Sequence, residues 1–92
     1  MFFVVCFDVS DDKKRYRVVK KLKGHCIRVQ KSVFECPELT EKQFLKLKAE
    51  LEKVIDEATD TVRYYRLCKG CISEVEVSGQ GEPPDDSNFL AI

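Results

Sequence analysis

The sequence lacks the features that mark a membrane-spanning or exported protein. No apolar run approaches the roughly 20 residues that span a bilayer. The apolar stretch at the N-terminus is short, has no basic segment before it and leads directly into an acidic turn, unlike a signal peptide. Internal repeats are absent, and 92 residues are typical of one domain. We therefore expect a soluble, cytoplasmic, single-domain protein with no membrane partner.

A complete metal-binding pattern is also missing. Five cysteines are an odd number, and without an export signal we expect reduced thiols and no disulfides. The segment Cys68-Lys69-Gly70-Cys71 has the spacing of half a zinc site, but no second CxxC or HxxxH follows to complete four ligands. The favoured interpretation is a tight turn with buried cysteines, and metal binding is the minor alternative.

The net charge of zero conceals a division along the chain. Residues 1–34 contain nine basic and three acidic groups, a net charge of +6 that the remaining residues balance. The basic residues are Lys13, Lys14, Arg15, Arg17, Lys20, Lys21, Lys23, Arg28 and Lys31. A cluster this dense is able to follow a phosphate backbone, and a solvated helix face explains it equally well on charge alone.

The run from Met1 to Asp8 is apolar, β-branched and aromatic, and it ends in a carboxylate. A short run of this kind, bounded by turn and cap residues, predicts a central strand. Asp8 would then lie at the carboxyl edge of the strand, rigidly held and partly desolvated. Metal-dependent phosphoryl chemistry often uses an acid in that position.

Ser10 is predicted to cap a first helix with Asp11 and Asp12 in its first turn. The apolar side of this helix comprises Tyr16, Val19 and Leu22, with Val18 beside it, and Gly24 is expected at the C′ position. Alternation over residues 27–36 predicts a strand that Pro37 closes.

A second helix is predicted from the capping box Thr40-Glu41-Lys42-Gln43. Its apolar stripe comprises Phe44, Leu47, Leu51, Val54, Ile55 and Ala58. Residues 62–67 predict a third strand and residues 72–77 a fourth. The predicted fold class is α+β, a ferredoxin-like βαββαβ sandwich with an antiparallel sheet and both helices on one face.

The tail differs from the preceding residues, which sets the expected boundaries at 1–78 for the domain and 79–92 for the tail. Residues 79–86 have the composition of a flexible acidic linker, and residues 88–92 are apolar. An apolar end of this kind could add a strand to a sheet edge of another subunit, clasping a dimer, with simple fraying as the alternative.

The fold alone does not assign a function. An RNA-recognition domain would need a K/R-G-F/Y-x-F-type segment, which is absent, although Phe34 and Tyr65 are aromatic. An acylphosphatase-like enzyme would need a glycine loop for phosphate after the first strand, where this chain is acidic. A carboxylate placed beside a substrate phosphate favours a site that also holds a metal ion.

Three segments together carry a more specific signal. They are Asp8-Val9-Ser10-Asp11-Asp12, Arg15 to Val18 in the basic helix, and Arg28-Val29-Gln30-Lys31-Ser32-Val33-Phe34-Glu35. With Tyr65-Arg66-Leu67-Cys68 and Gly79-Gln80-Gly81, they closely resemble the Cas-two family, the small CRISPR-associated endonucleases of spacer acquisition. The resemblance covers essentially the full length.

The resemblance implies a symmetric homodimer in which the C-terminal strand packs on the partner subunit. It also implies that Asp8 of each subunit faces its mate and that the pair holds a divalent ion, Mg²⁺ or another such as Mn²⁺, for phosphodiester hydrolysis. Paired carboxylates suit Mg²⁺, which keeps several waters.

The expected nucleic-acid-binding residues are Lys13, Lys14, Arg15, Arg17 and Arg28. Second-tier site candidates are Ser10, Asp11, Ser32 and Phe34; helix capping is the favoured alternative for Ser10 and Asp11, and sheet packing is an equal alternative for Phe34. Phe7 replaces the tyrosine that is common in the family, which removes a hydroxyl near the site.

Two function classes follow from the resemblance. In the first, the protein is a metal-dependent endonuclease that cuts RNA or duplex DNA with Asp8 as the catalytic residue. In the second, it is a non-catalytic adaptor that bridges two dimers of the Cas-one integrase and binds the protospacer duplex. A related toxin ribonuclease is a third, weaker alternative. The basic surface suits either of the first two roles.

Overall fold

A computed structural model describes residues 1–84, which form four strands and three helices. The elements are β1 (Phe2–Asp8), α1 (Asp12–Lys23), β2 (Ile27–Gln30), β3 (Val33–Cys36), α2 (Glu41–Val54), β4 (Thr61–Leu67) and α3 (Lys69–Ile72). The strands form one antiparallel sheet in the order β2-β3-β1-β4. This arrangement confirms the predicted ferredoxin-like α+β fold. None of the helices in residues 1–84 has the length and apolar character needed to cross a bilayer.

The core lies between one face of the sheet and the two long helices. Strand β1 places Phe3, Val5 and Phe7 on this face, because alternate side chains of a strand point to the same side. The ring of Phe44 from α2 stacks on Phe3 with centroids 4.1 Å apart and meets Tyr64 edge-on at 5.5 Å. The helices contribute Val18, Leu22, Leu47, Leu51 and Val54 to the same core. The predicted central strand is therefore confirmed.

The opposite face of the sheet is open in the single chain. Ile27 and Tyr65 are 61% and 47% exposed on β2 and β4. Beside β2 and β3, residues 77 and 80–83 complete a concave surface with a volume of about 580 Å³. Ile27 and Tyr65 thus leave apolar surface in water on this face, whereas Phe2 at the start of β1 is 1% exposed.

Helix α2 begins as the sequence predicts. The backbone N–H of Gln43 donates to Thr40 Oγ1 at 3.1 Å, and the backbone N–H of Thr40 donates to Gln43 Oε1 at 2.9 Å. The helix ends at Val54, so Ala58 lies beyond it and is exposed, contrary to the prediction.

Three predictions for α1 were wrong. Asp11, and not Ser10, caps the helix by accepting from the backbone N–H of Lys14 at 2.9 Å. Tyr16 is 67% exposed, because Val18 and Leu22 define the buried stripe at a spacing of four residues. Gly24 has φ −67°, a right-handed helical value, and is not a left-handed C′ residue.

Residues 27–36 form a hairpin and not the single strand that was predicted. Strands β2 and β3 pair with a register shift between Arg28 and Gln30, and residues 31–32 form the turn. The hairpin places Cys26 directly opposite Cys36, with Cα atoms 4.3 Å apart, and a disulfide joins them. The expectation of no disulfides, which rested on the odd number of cysteines and the lack of an export signal, was therefore wrong. The hairpin brings together two cysteines that a single extended strand would have held far apart.

The predicted strand over residues 72–77 is also absent. After β4 the chain turns at once into α3, where Cys68 caps the helix and Ile72 is 1% exposed. The predicted clasp over residues 88–92 lies outside the described residues, and the proposed division at residue 78 stays a prediction.

Candidate active site

Asp8 lies where three segments of the fold meet. It is the last residue of β1 and pairs with Thr61, the first residue of β4. On the other side of β1, the backbone N–H of Phe7 donates to the carbonyl of Ser32 at 3.1 Å, which ties the end of β1 to the β2–β3 turn. The sheet therefore fixes the backbone of Asp8 from both sides.

A small cleft surrounds the end of β1. It has a volume of about 160 Å³ and is lined by Phe7, Asp8, Val9, Arg15, Lys31 and Ser32. One carboxylate, two cationic groups and one hydroxyl are thus brought together from β1, α1 and the β2–β3 turn. Lys31 was not singled out for the site, because the turn that places it there was itself missed. A cleft of this composition suits an anion with several oxygens, such as a phosphate group.

The carboxylate of Asp8 is exposed, so the expectation of partial desolvation was wrong. The reason is the alternation of β1. Phe7 points into the core and is 7% exposed, whereas its neighbour Asp8 points to the open side. An exposed carboxylate is free to meet a substrate, a cation or a second chain.

Asp60 holds the turn that follows Asp8, and sequence reasoning missed it. This carboxylate is 8% exposed and accepts from the backbone N–H and the hydroxyl of Ser10 at 3.3 and 3.4 Å. It also accepts from the backbone N–H of Asp56 at 2.9 Å and from the hydroxyl of Thr59 at 3.2 Å. Ser10 therefore connects β1 to the α2–β4 loop and does not cap α1.

These hydrogen bonds have an electrostatic consequence. The donor from Asp56, followed by those from Ser10 and Thr59, lowers the pKa of Asp60 below its usual value, although burial acts in the opposite direction. The sequence carried only one signal for this role, an aspartate two residues before a predicted strand. It gave no indication of the partner Ser10, which is 50 residues away.

The predicted phosphate-binding residues of α1 are all at the surface or half-buried. Lys13 and Arg17 are exposed, and Lys14 and Arg15 are half-buried. Arg15 forms an ion pair with Asp12, three residues before it on the helix. Arg17, Lys20 and Lys21 line a separate concavity of about 310 Å³. The basic residues therefore extend from the Asp8 cleft along α1.

Arg28 has a structural role in the hairpin. Its guanidinium donates to the carbonyl of Lys31 through Nε at 3.1 Å and Nη2 at 2.6 Å, and it lies 5.8 Å from the centre of the Phe34 ring. Phe34 is fully buried and packs against Phe7 with ring centroids 6.1 Å apart. Burial favours the packing role for Phe34 over substrate contact.

A single chain does not provide a complete metal site in its described part. Residues 1–84 contain no group of three or more His, Cys, Asp or Glu side chains that could hold an ion. Mg²⁺ needs fewer protein ligands than that, because it commonly binds through one or two carboxylates and retains several waters. The exposed Asp8 carboxylate is compatible with such an ion, provided that water or a second chain supplies the other ligands.

Comparison with known proteins agrees with this geometry. Residues 1–75 match the family model described as CRISPR associated protein Cas2. The chain belongs to the Cas2 family. This is the Cas-two family that the sequence resembles, so that prediction is confirmed.

One Cas2 relative is "CRISPR-associated endoribonuclease Cas2 1" of Chloroflexus aurantiacus. It is 39% identical over 93 residues, which cover 100% of this chain and 99% of the relative. Another, "CRISPR-associated endoribonuclease Cas2 2" of Synechocystis sp., is 41% identical over 91% of this chain and 94% of its own length.

Solved Cas2 structures share the fold. Cas2 of Streptococcus pyogenes, crystallised at pH 6.5, superposes with a TM-score of 0.77 and 37% identity over 86% of this chain and 100% of that one. A chain of a structure described as a partial Cas6-RT-Cas1–Cas2 complex superposes with a TM-score of 0.73 and 30% identity, covering 89% of this chain and 88% of that one.

Proposed function

We propose that this Cas2-family protein is a metal-dependent endonuclease that hydrolyses phosphodiester bonds of RNA as a homodimer, with Asp8 as the catalytic residue. The observation that carries the proposal is the position of Asp8, an exposed carboxylate in a cleft shared with Arg15, Lys31 and Ser32. RNA is the first substrate to test because relatives at 39% and 41% identity are named endoribonucleases. Duplex DNA is the second.

The cationic side chains of the cleft would bind the substrate phosphate. Arg15 reaches the cleft from α1, while its ion pair with Asp12 fixes its direction. Lys31 reaches it from the β2–β3 turn, which Arg28 braces through two hydrogen bonds to the Lys31 carbonyl. Two cations from separate elements would hold a phosphate in one orientation beside Asp8.

Asp8 would hold a divalent ion, Mg²⁺ or Mn²⁺, together with water. When bound, such an ion makes a neighbouring water easier to deprotonate and offsets the charge that develops on the phosphate. The carboxylate itself would accept a hydrogen bond from the attacking water, which orients the water, and would then take its proton. Ser32 would provide a neutral hydroxyl within the same cleft.

A second copy of the chain would complete the site. The open face of the sheet carries exposed apolar side chains at Ile27, Val29 and Tyr65, and this face also carries Asp8. Burying this face in a homodimer would remove apolar surface from water and bring two Asp8 carboxylates to one interface. Residues 79–92 would support the dimer as the clasp expected from the sequence.

Cleavage of labelled RNA and duplex DNA by the purified protein tests the proposal. We expect cleavage to require Mg²⁺ or Mn²⁺ and to fall by about 100-fold or more in Asp8→Asn, because a group that acts on the reacting water is lost. Substrate binding should be retained, since the amide has the same shape. Glu38→Gln, a change of an exposed carboxylate outside the cleft, serves as the matched control. Metal-independent cleavage, or full activity of Asp8→Asn, would contradict the proposal.

A structural role within an integrase assembly is the second candidate. It is favoured by the similarity to a chain in a Cas1–Cas2 complex and by the basic concavity of Arg17, Lys20 and Lys21. In this role the protein would bridge Cas-one (Cas1) integrase dimers and bind duplex DNA. Asp8→Asn would then leave assembly and integration unchanged, whereas Arg17→Ala would weaken duplex binding.

A further inference from the structure

Cys68 and Cys71 form a close pair of thiols at the surface. Their sulfur atoms are 3.2 Å apart and share a hydrogen bond, and the backbone N–H of Cys71 donates to Cys68 Sγ at 3.4 Å. Both residues are exposed, which corrects the prediction of buried cysteines in this turn. All five cysteines lie in residues 1–84, and of the other three, Cys6 is half-buried and two are joined in the hairpin disulfide.

The thiol pair is distant from the Asp8 cleft. Cys68 follows Leu67, which pairs with Phe2 at the start of β1, whereas Asp8 ends the same strand. These positions are six residue steps apart along the strand, roughly 20 Å. Chemistry at the thiols therefore does not use the groups of the phosphodiester site.

We propose that Cys68 and Cys71 are a redox-active dithiol that reacts by thiol–disulfide exchange with low-molecular-weight disulfides. The sulfur atoms need to approach by only about 1 Å to reach disulfide bonding distance. A soft metal ion would instead need further ligands, and residues 1–84 provide no third His, Cys, Asp or Glu at this position.

The surroundings assign different roles to the two thiols. Hydrogen bonds from the Cys71 side chain and then from its backbone lower the pKa of Cys68, while the shared sulfur contact raises the pKa of Cys71. Arg66 and Lys69 line the shallow cavity beside Cys68 and add positive charge. Cys68 is therefore the attacking thiolate and Cys71 the thiol that closes the bond.

The turn leaves Cys68 accessible and is itself well held. A Cβ atom at Gly70 would lie 4.0 Å from Cys68 Sγ, so glycine leaves that side of the sulfur uncovered. The hydroxyl of Ser73 donates to the Gly70 carbonyl at 2.8 Å, and Ile72 is buried beneath the turn. The thiols thus react on a fixed backbone.

The thiol–disulfide exchange proceeds in two steps. Cys68 thiolate attacks one sulfur of the disulfide, forming a protein mixed disulfide and releasing one small thiolate. Cys71 then loses its proton to water and attacks Cys68 Sγ, and the second small thiol leaves. The protein dithiol is oxidised by two electrons, and the small disulfide is reduced to two thiols.

Equilibration with glutathione tests this proposal on the full chain carrying Cys6→Ser, which removes the third free thiol. After acid quenching and alkylation, peptide mass spectrometry reports Cys68 and Cys71 separately. We expect the alkylated fractions of Cys68 and Cys71 to fall together, in a single two-electron transition, as the ratio of oxidised to reduced glutathione rises. Retention of both thiols at every ratio, or independent loss of each, would overturn the proposal.

Single variants test the assigned order of attack. Cys71→Ser should accumulate one glutathione on Cys68, because the closing thiol is absent. Cys68→Ser should react with oxidised glutathione at least tenfold more slowly than Cys71→Ser, since the activated thiolate is missing. Equal rates in the two variants would contradict the roles of Cys68 and Cys71.

Discussion

At the scale of single residues, Asp60 connects stability to the geometry of the candidate site. Its carboxylate receives donors from Ser10, Asp56 and Thr59, so it joins the turn after Asp8 to the loop before β4. Because the Asp60 carboxylate, and not a glycine or proline, holds this turn, the stability of the turn depends on the charge of Asp60.

We expect Asp60→Asn to lower the free energy of unfolding at neutral pH and to slow RNA cleavage while leaving metal dependence unchanged. Because the pKa of Asp60 is lowered in the folded state, the contribution of the carboxylate is complete above its unfolded pKa of about 4. It is lost as the pH falls through the lower, folded value. The difference between variant and wild type should therefore shrink in strong acid.

Urea unfolding over a pH series measures this effect. Glu57→Gln, an exposed carboxylate change in the same loop, is the control and should be neutral. An Asp60→Asn difference that stays constant with pH would argue against a stabilising charge at this position.

Tyr64 offers a second test, since its hydroxyl is buried without a hydrogen-bond partner within residues 1–84. Burial, and then the charge of Glu52, raises its pKa to about 12. We expect Tyr64→Phe to raise the free energy of unfolding by about 1 kcal/mol at neutral pH, because an unsatisfied buried group is removed.

The wild type should also lose stability as the pH rises from about 10 towards 12, because the unfolded tyrosine ionises first. Tyr64→Phe should lack this component. Chemical unfolding at neutral and alkaline pH measures both effects, and Tyr16→Phe, at a 67% exposed position, should show neither. A less stable Tyr64→Phe protein at neutral pH would indicate a partner for the hydroxyl.

At the scale of elements, the β2–β3 hairpin shows what sequence patterns could not reveal. Its turn, Lys31-Ser32, has no glycine, and every non-glycine residue in 1–84 has negative φ, so the usual Asn-Gly signal of a hairpin is absent. The register shift between Arg28 and Gln30 further disrupts the alternation of the two strands.

Elements with strong local signals were predicted well. Strand β1 follows from its continuous apolar run, and α2 from the capping box at Thr40 and its regular stripe. The Asp8 position followed directly from β1. The cleft around it did not, because Lys31 reaches it through a turn whose conformation depends on tertiary contacts. The anchoring of the turn after Asp8 was missed for the same reason, since Asp60 bonds Ser10 from a distant loop.

The hairpin predicts a measurable effect of its disulfide. Because Cys26 and Cys36 are 10 residues apart, closing this loop should stabilise the protein by roughly 3 kcal/mol through the entropy of the unfolded chain. In a Cys68→Ser/Cys71→Ser background, reductant should lower the urea midpoint accordingly. Cys26→Ala/Cys36→Ala should have the lower midpoint and no response to reductant. An unchanged midpoint in the parent protein would show that the bond adds no stability.

At the scale of the whole molecule, charge is distributed unevenly although the total is zero. The basic residues of α1 continue from the Asp8 cleft to the concavity of Arg17, Lys20 and Lys21. A nucleic acid that contacts this helix would release counterions, so its affinity should fall steeply with salt.

We expect Arg17→Ala to reduce the slope of log affinity against log salt by about 0.7 for single-stranded RNA and about 0.9 for duplex DNA, as for one lost phosphate contact. Base preference should not change, because phosphate contacts carry no sequence information. Filter binding over a salt series measures the slope. Lys46→Ala, which removes an exposed cation on α2, is the control and should leave the slope unchanged. An unchanged slope in Arg17→Ala would show that the nucleic acid does not contact Arg17.

Strand β4 lies at one edge of the sheet, and all seven of its residues pair with β1 on a single side. Its outer side therefore presents a row of backbone donors and acceptors, roughly 23 Å long, that no other strand of residues 1–84 uses. Water satisfies these groups in the isolated chain, and an added strand of matching length would replace it. A strand supplied by a second chain would extend the sheet, so the fraction of molecules with an extended sheet would rise with protein concentration.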